Sequence, residues 1–235
     1  MQYLKLLLGE IKTTWSFYWK IKSFRTHFLF SLLLFAAVLH FSCMYLNVWE
    51  GRHGVHVIDP LLSRINPKNF STAIFCIVYA ALLISLFITA IHPKELVKAF
   101  QAYAILTLMR TIVIYFVPLE VPNGMIYLQD PISGFFLNNA THTVTKDLFF
   151  SGHISVMCLF IYFTENRVWK SILLIATPVL AALILWQHVH YTMDIIAAPF
   201  FAFASCRFID IMNERWEYGV DNIHTSPRFE WYKKN

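Results

Sequence analysis

Six apolar runs, at roughly 26–46, 70–91, 96–117, 148–163, 169–187 and 190–211, constrain this chain more than any other feature. A helix needs about 20 mostly apolar residues to cross a hydrocarbon core, because it rises about 1.5 Å per residue through about 30 Å. Charged residues make up only 14% of the chain, against about 25% in a soluble domain. The expectation is an all-α, polytopic membrane protein with a six-helix transmembrane domain over 26–211. An amphipathic interfacial segment at 1–25, bearing Trp15, Tyr18 and Trp19, should precede it, and a polar tail at 212–235 should follow. The apolar stretch Leu4–Leu8 is too short for a signal-peptide core, so no cleavable leader is expected.

The net charge of +5 raises the question of nucleic acid, but the basic residues lie between apolar runs and not along one face. Juxtamembrane Lys and Arg attracted to anionic lipid account for them, so the partner is a bilayer and not a nucleic acid. With the N-terminus inside, fourteen Lys or Arg residues fall on the inner side and four on the outer, with Arg110 inside a span. By the positive-inside rule both termini are cytosolic, and the loops at 47–69, 118–147 and 188–190 face the extracytosolic side. The four cysteines sit inside apolar runs without metal-type spacing and read as packing residues. The sequence leaves self-association open.

Ionisable groups inside a span are costly and tend to mark sites. Arg110, His153 and the pair His190 and Asp194 are the cases here. On a helix, residues four apart share a face, so Asp194 can accept from one ring nitrogen of His190 and strengthen the other as base or nucleophile. The expected topology brings Arg110, His153, His190 and Asp194 to one depth under the outer surface. An Arg can hold phosphate oxygens, one histidine can attack phosphorus, and a second can protonate the departing oxygen. Such phosphoryl-type transfer requires no metal or cofactor.

Plainer readings stand beside these. Arg110 could be a structural ion-pair partner of Asp130 or Glu120. Ser151 and Gly152 could simply start a helix, or could expose backbone N–H groups to phosphate. Asp147 could face a headgroup amine or cap the fourth helix, and Tyr191 and Thr192 could pack at the interface or bind phosphate. His188, His190, Asp194 and His153 form an acceptable zinc set, but His188 and His190 are two apart and diverge on a helix.

These residues carry a resemblance to a family. Lys146-Asp147-Leu148-Phe149-Phe150-Ser151-Gly152-His153 is similar to the Cys-Gly-Asp-x-x-Phe-Ser-Gly-His-Thr motif of sphingomyelin synthases. His190-Tyr191-Thr192-Met193-Asp194-Ile195 closely resembles their His-Tyr-Thr-x-Asp-Val motif. Arg110-Thr111 with Val117-Pro118-Leu119-Glu120-Val121-Pro122 is similar to their Arg-Ser-x-Thr and Leu-Pro-x-Pro elements. The wider type-2 phosphatidic acid phosphatase pattern fits less well, since Phe150 stands for the Pro before Ser-Gly-His and Ile184 for an Arg. Thr145-Lys146 for Cys-Gly, Ile154 for Thr and the inserted Pro199 depart from the synthase motifs too.

The resemblance implies His190 as nucleophile, Asp194 as its orienting partner and His153 as general acid. It also implies a phospholipid headgroup donor and a ceramide or diacylglycerol acceptor. Two other readings remain at this stage. The same phosphohistidine could discharge to water, giving a lipid phosphatase or phospholipase-C-like hydrolase. Alternatively the chain could bind or transport lipid without catalysis.

Overall fold

A computed structural model describes residues 2–129 and 145–214. Asp130, His142 and the tail from residue 215 onward therefore lie outside the described residues. Seven α-helices make up most of the described chain: α1 (Gln2–Lys20), α2 (Lys22–Glu50), α3 (Ser71–Ala90), α4 (Pro93–Phe116), α5 (Gly152–Phe163), α6 (Arg167–Trp186) and α7 (Thr192–Glu214). A 3-10 turn covers Leu62–Arg64, and one parallel bridge joins Val55 to Leu119.

Local chemistry sets several helix ends. Pro93 takes the first position of α4, where its missing N–H is no loss. Asn166 caps α6 by accepting from Trp169 N at 2.8 Å. Five helices, α2 (over Lys22–Tyr45), α3, α4, α6 and α7, are long and apolar enough to cross a membrane. The fourth expected run differs: α5 holds 12 residues, about 18 Å, and is shorter than a hydrocarbon core. Its start slips from 148 to Gly152 because Arg110 takes the carbonyls of Asp147 and Phe150, which a helix there would have used internally.

Helix α4 is the hub, packing against α1, α2, α3, α5 and α7, while α5 packs against α3, α4, α6 and α7. Small residues at the seams, Ala81, Ala102, Ala198 and Ala202, are buried and let the backbones approach. Phe150 stacks on Phe201 with ring centroids 4.1 Å apart. The bundle's outer surface is rich in large apolar side chains, with Phe30, Leu33, Leu83, Ile175, Phe200 and Phe203 all exposed, as lipid-facing helices require. Buried polar groups between helices satisfy one another: Gln101 Nε2 donates to Ser31 Oγ (2.7 Å) and lies 2.7 Å from His27 Nε2, and Asn213 Nδ2 donates to Gln101 Oε1 (2.8 Å).

At one end of the bundle, residues 51–69, 118–129, 145–151 and 187–191 form a loop layer knitted by hydrogen bonds. Gly54 N donates to Glu120 Oε1 (2.8 Å), and Lys146 Nζ donates to the same oxygen (3.0 Å). These two donors hold the Glu120 carboxyl below its usual range. Position 54 has to be glycine, because a Cβ there would lie 2.4 Å from the Leu119 carbonyl carbon. Glu50, at the end of α2, accepts from Thr145 N, Thr145 Oγ1 and Lys146 N.

Candidate active site

Arg110 sits in the last third of α4 and is the hinge pin of the segment before α5. Its Nε donates to Phe150 O (2.8 Å), Nη1 to Asp147 Oδ2 (2.6 Å) and Nη2 to Asp147 O (2.8 Å). Its ion-pair partner is thus Asp147, a residue sequence reasoning placed elsewhere, while Glu120 pairs with Lys146. Gly152 lets the guanidinium come this close, since a Cβ there would be 3.1 Å from Nη1. Three of the five guanidinium N–H bonds are used in this way, leaving one on each Nη. Ser151 takes the N-cap position of α5 without a side-chain cap bond, and its buried Oγ has no protein partner.

His190 is buried, with Nδ1 3.3 Å from Asp194 Oδ2. The two are not on one helix face, as the spacing suggested. Helix α7 starts at Thr192, and His190 lies in the turn before it. Asp194, in the first turn, reaches back to accept from Tyr191 N (3.0 Å), half of a capping box, and the same oxygen meets His190. The carboxylate that starts the helix is therefore the one that orients the imidazole. Asp194 is fully buried, its carbonyl accepts from Ser151 N (3.2 Å), and its Oδ1 has no protein partner. The backbone thus ties the start of α7 to the start of α5, next to His153. The His153 ring packs edge-on to Phe75 at 6.2 Å.

A cavity of about 580 Å³ joins these groups, within the range of small-molecule sites. Arg110, Asp147, Gly152, His153 and His190 line one end of it. Tyr191 and Thr192 do not line it. The Tyr191 hydroxyl donates to Glu120 O (2.9 Å), and Thr192 donates to Asp59 through N (2.7 Å) and Oγ1 (3.1 Å). Asp59, from the 51–69 loop, therefore caps α7 across 133 residues. Burial would raise its pKa, but donors from Thr192, Leu62 and Leu61 outweigh that and hold the carboxyl below its usual value.

His188 turns away from the other histidines, in the left-handed region at φ 57. Its Nδ1 lies 2.8 Å from Asn123 O and its Nε2 3.0 Å from Ile65 O, so both ring nitrogens are committed to loop carbonyls. Among the described residues, no group of three or more His, Cys, Asp or Glu side chains is placed to hold a metal ion. Gln187 was also invisible to sequence reasoning. Fully buried, it accepts from Phe70 N (2.8 Å) and donates to Ser71 Oγ (2.9 Å) and Ile126 O (3.1 Å), fixing the turn that carries His190.

Comparison with known proteins finds a family match over the stretch that carries most of these residues. The family described as PAP2 superfamily C-terminal matches residues 144–211, the stretch that contains Asp147, His153, His190 and Asp194. The match supports the type-2 phosphatidic acid phosphatase superfamily, and with it an integral membrane enzyme of lipid phosphatase or phosphotransferase type. No curated protein matches the chain.

Proposed function

We propose that this chain is a sphingomyelin synthase-like lipid phosphotransferase. It moves a phosphorylated headgroup, of phosphocholine or phosphoethanolamine type, from a phospholipid donor to the hydroxyl of a ceramide or diacylglycerol. One observation carries the reading: a cavity with Arg110, His153 and His190 at one end and an apolar remainder fits an amphiphile with a phosphate head.

Asp194 faces Nδ1 of His190, so Nε2 is the attacking atom. It forms an N–P bond while the P–O bond to the donor's glycerol oxygen breaks, and His153 gives that oxygen its proton. In the second half, His153 takes the proton of the acceptor hydroxyl, whose oxygen displaces His190 from phosphorus. Arg110 offers one remaining N–H on each Nη to the phosphate oxygens. The first turn of α5 adds its positive end at Gly152. Asp147, Ser151 and Gly152 serve by shaping this anion site, and Tyr191 and Thr192 by fixing the turn that presents His190.

The topology belongs to the same proposal. The chain crosses six times with both termini cytosolic, α5 being a short crossing that begins below the surface at the site, and the site faces the extracytosolic side. The distribution of Lys and Arg supports this orientation.

The test uses labelled donor phospholipid in mixed micelles, with and without ceramide or diacylglycerol, beside His190→Ala. The expected result is label in a new lipid that requires the acceptor and is lost in the variant. Water-soluble phosphate or phosphoalcohol released regardless of acceptor would replace transfer with hydrolysis. No turnover with any donor would overturn the enzymatic reading.

A further inference from the structure

We infer that the same cavity takes an acyl chain of the lipid down its whole depth, and that its closed end sets an upper limit on chain length. This inference rests on the proposed function above for which end carries the headgroup and for how the bundle sits in the bilayer. Helices α3, α4 and α5 supply most of the cavity wall, with Phe35 from α2. Arg110 lies fourteen helical steps from Leu96 on α4 and Gly152 eleven from Phe163 on α5, about 21 Å and about 17 Å. Half of a hydrocarbon core is only about 15 Å. With its mouth at or below the outer edge of the hydrocarbon core, as in the proposed topology, a cavity of this length passes the bilayer's midplane and is deeper than the chains of one leaflet. Thr89, Leu96 and Phe163 line its far end, and all three are buried.

The way in is lateral. Among the described residues, α3 makes no extensive packing with α2. Leu82 and Leu86 of α3 line the cavity and are 38% and 42% exposed, so the wall on this side is not covered by a neighbouring helix. The cavity wall also holds a ring cluster of Phe35, Phe100 and Tyr103, with Phe35 5.3 Å from Phe100 and 5.5 Å from Tyr103. A chain sliding between α3 and these rings leaves a bilayer as apolar as the cavity. Burial therefore supplies little selectivity, and the limit is steric.

Donors with one headgroup and increasing saturated chain length test this with wild type, Ala99→Phe and Leu96→Ala. Ala99 lines the lower half of the cavity. Each protein is read by its own ratio of long-chain to short-chain turnover, so general loss of folding cancels. The wild-type profile should be flat to a threshold and then fall. Ala99→Phe should lower the long-to-short ratio at least about tenfold, the factor that about 1.4 kcal/mol of overpacking gives. Leu96→Ala should move the threshold to longer chains. Identical profiles in all three proteins would overturn the chain limit while leaving the site reading intact.

If no donor is turned over, the site reading fails, and the inference is decided by photolabelling with an alkyl phosphonate carrying a diazirine at the chain end. Crosslinks at the far end, around Thr89, Leu96 and Phe163, support it. Crosslinks confined to the outside of the bundle overturn it.

Discussion

Asp194→Asn separates the electrostatic role of this carboxylate from its structural one. Both partners of Oδ2, the Nδ1–H of His190 at 3.3 Å and Tyr191 N at 3.0 Å, are donors. The amide must therefore put its oxygen in that place, since its NH2 would oppose the Tyr191 N–H. The imidazole then keeps its tautomer, and only the negative charge is lost. At 3.3 Å and an effective dielectric of about 20, the charge–charge term with a cationic His190 is about 5 kcal/mol. A charge-assisted hydrogen bond is about twice as strong as a neutral one, so about half of this remains. The loss is about 2.5 kcal/mol in the transition state, roughly 70-fold in kcat.

The NH2 group moves to the position of Oδ1, which is buried and has no protein partner. An unsatisfied donor there costs about 1–3 kcal/mol of stability, visible as a lower Tm in detergent with the fold retained. Turnover is measured with the labelled-donor assay at saturating lipid, and the phosphohistidine that the proposed mechanism requires is sought by rapid acid-free quench. A kcat within about threefold of wild type would refute the charge argument. A loss beyond about 10⁴-fold would refute it from the other side, because a wrong tautomer costs that much in a Ser-His-Asp triad.

Three further perturbations follow from contacts elsewhere. Gly152→Ala puts a Cβ 3.1 Å from Arg110 Nη1 and 3.2 Å from Cζ, against the 3.5–4.0 Å or so of an unstrained contact. Displacing the guanidinium by about half an ångström should cut kcat/KM about tenfold or more with little change in Tm, as kinetics and thermal unfolding would show. Gly54→Ala meets the Leu119 backbone at 2.4 Å, which cannot move without breaking the loop layer, so a Tm loss equivalent to about 3 kcal/mol is expected by thermal unfolding. The Asp59 carboxyl titrates lower in the folded protein than in the unfolded chain. Its contribution is thus fully present above about pH 4, the usual carboxylate value, and is lost as pH falls through the folded value. Tm measured against pH should fall more steeply below about pH 4 in wild type than in Asp59→Asn, and parallel curves would refute the capping role.

The parts of this protein that were legible in its sequence are those that a periodicity or a short spacing encodes. The apolar runs gave α2, α3, α4, α6 and α7 to within a few residues, and four residues of spacing were enough to associate His190 with Asp194. The reason for that association was misread, because periodicity cannot say where a helix begins. Asp194 meets His190 through a helix start and not along a helix face. The same limit hid the shortness of α5. Phe149 and Phe150 continue its apolar pattern, but the carbonyls of Asp147 and Phe150 accept from Arg110, which is 37 and 40 residues away. Long-range partners of this kind leave no local trace: Asp59 on Thr192, Glu120 on Tyr191, Gln187 on Phe70 and Ser71. They are also what makes the site rigid. In a bundle surrounded by lipid, helices gain little from hydrophobic association, so the loop layer's hydrogen bonds must fix the turn before α7 and the segment before α5. His190 and His153 each sit at the start of a helix whose preceding backbone is held by a distant buried or half-buried side chain. The proposed chemistry therefore depends as much on Arg110, Asp59 and Gln187 as on the histidines themselves.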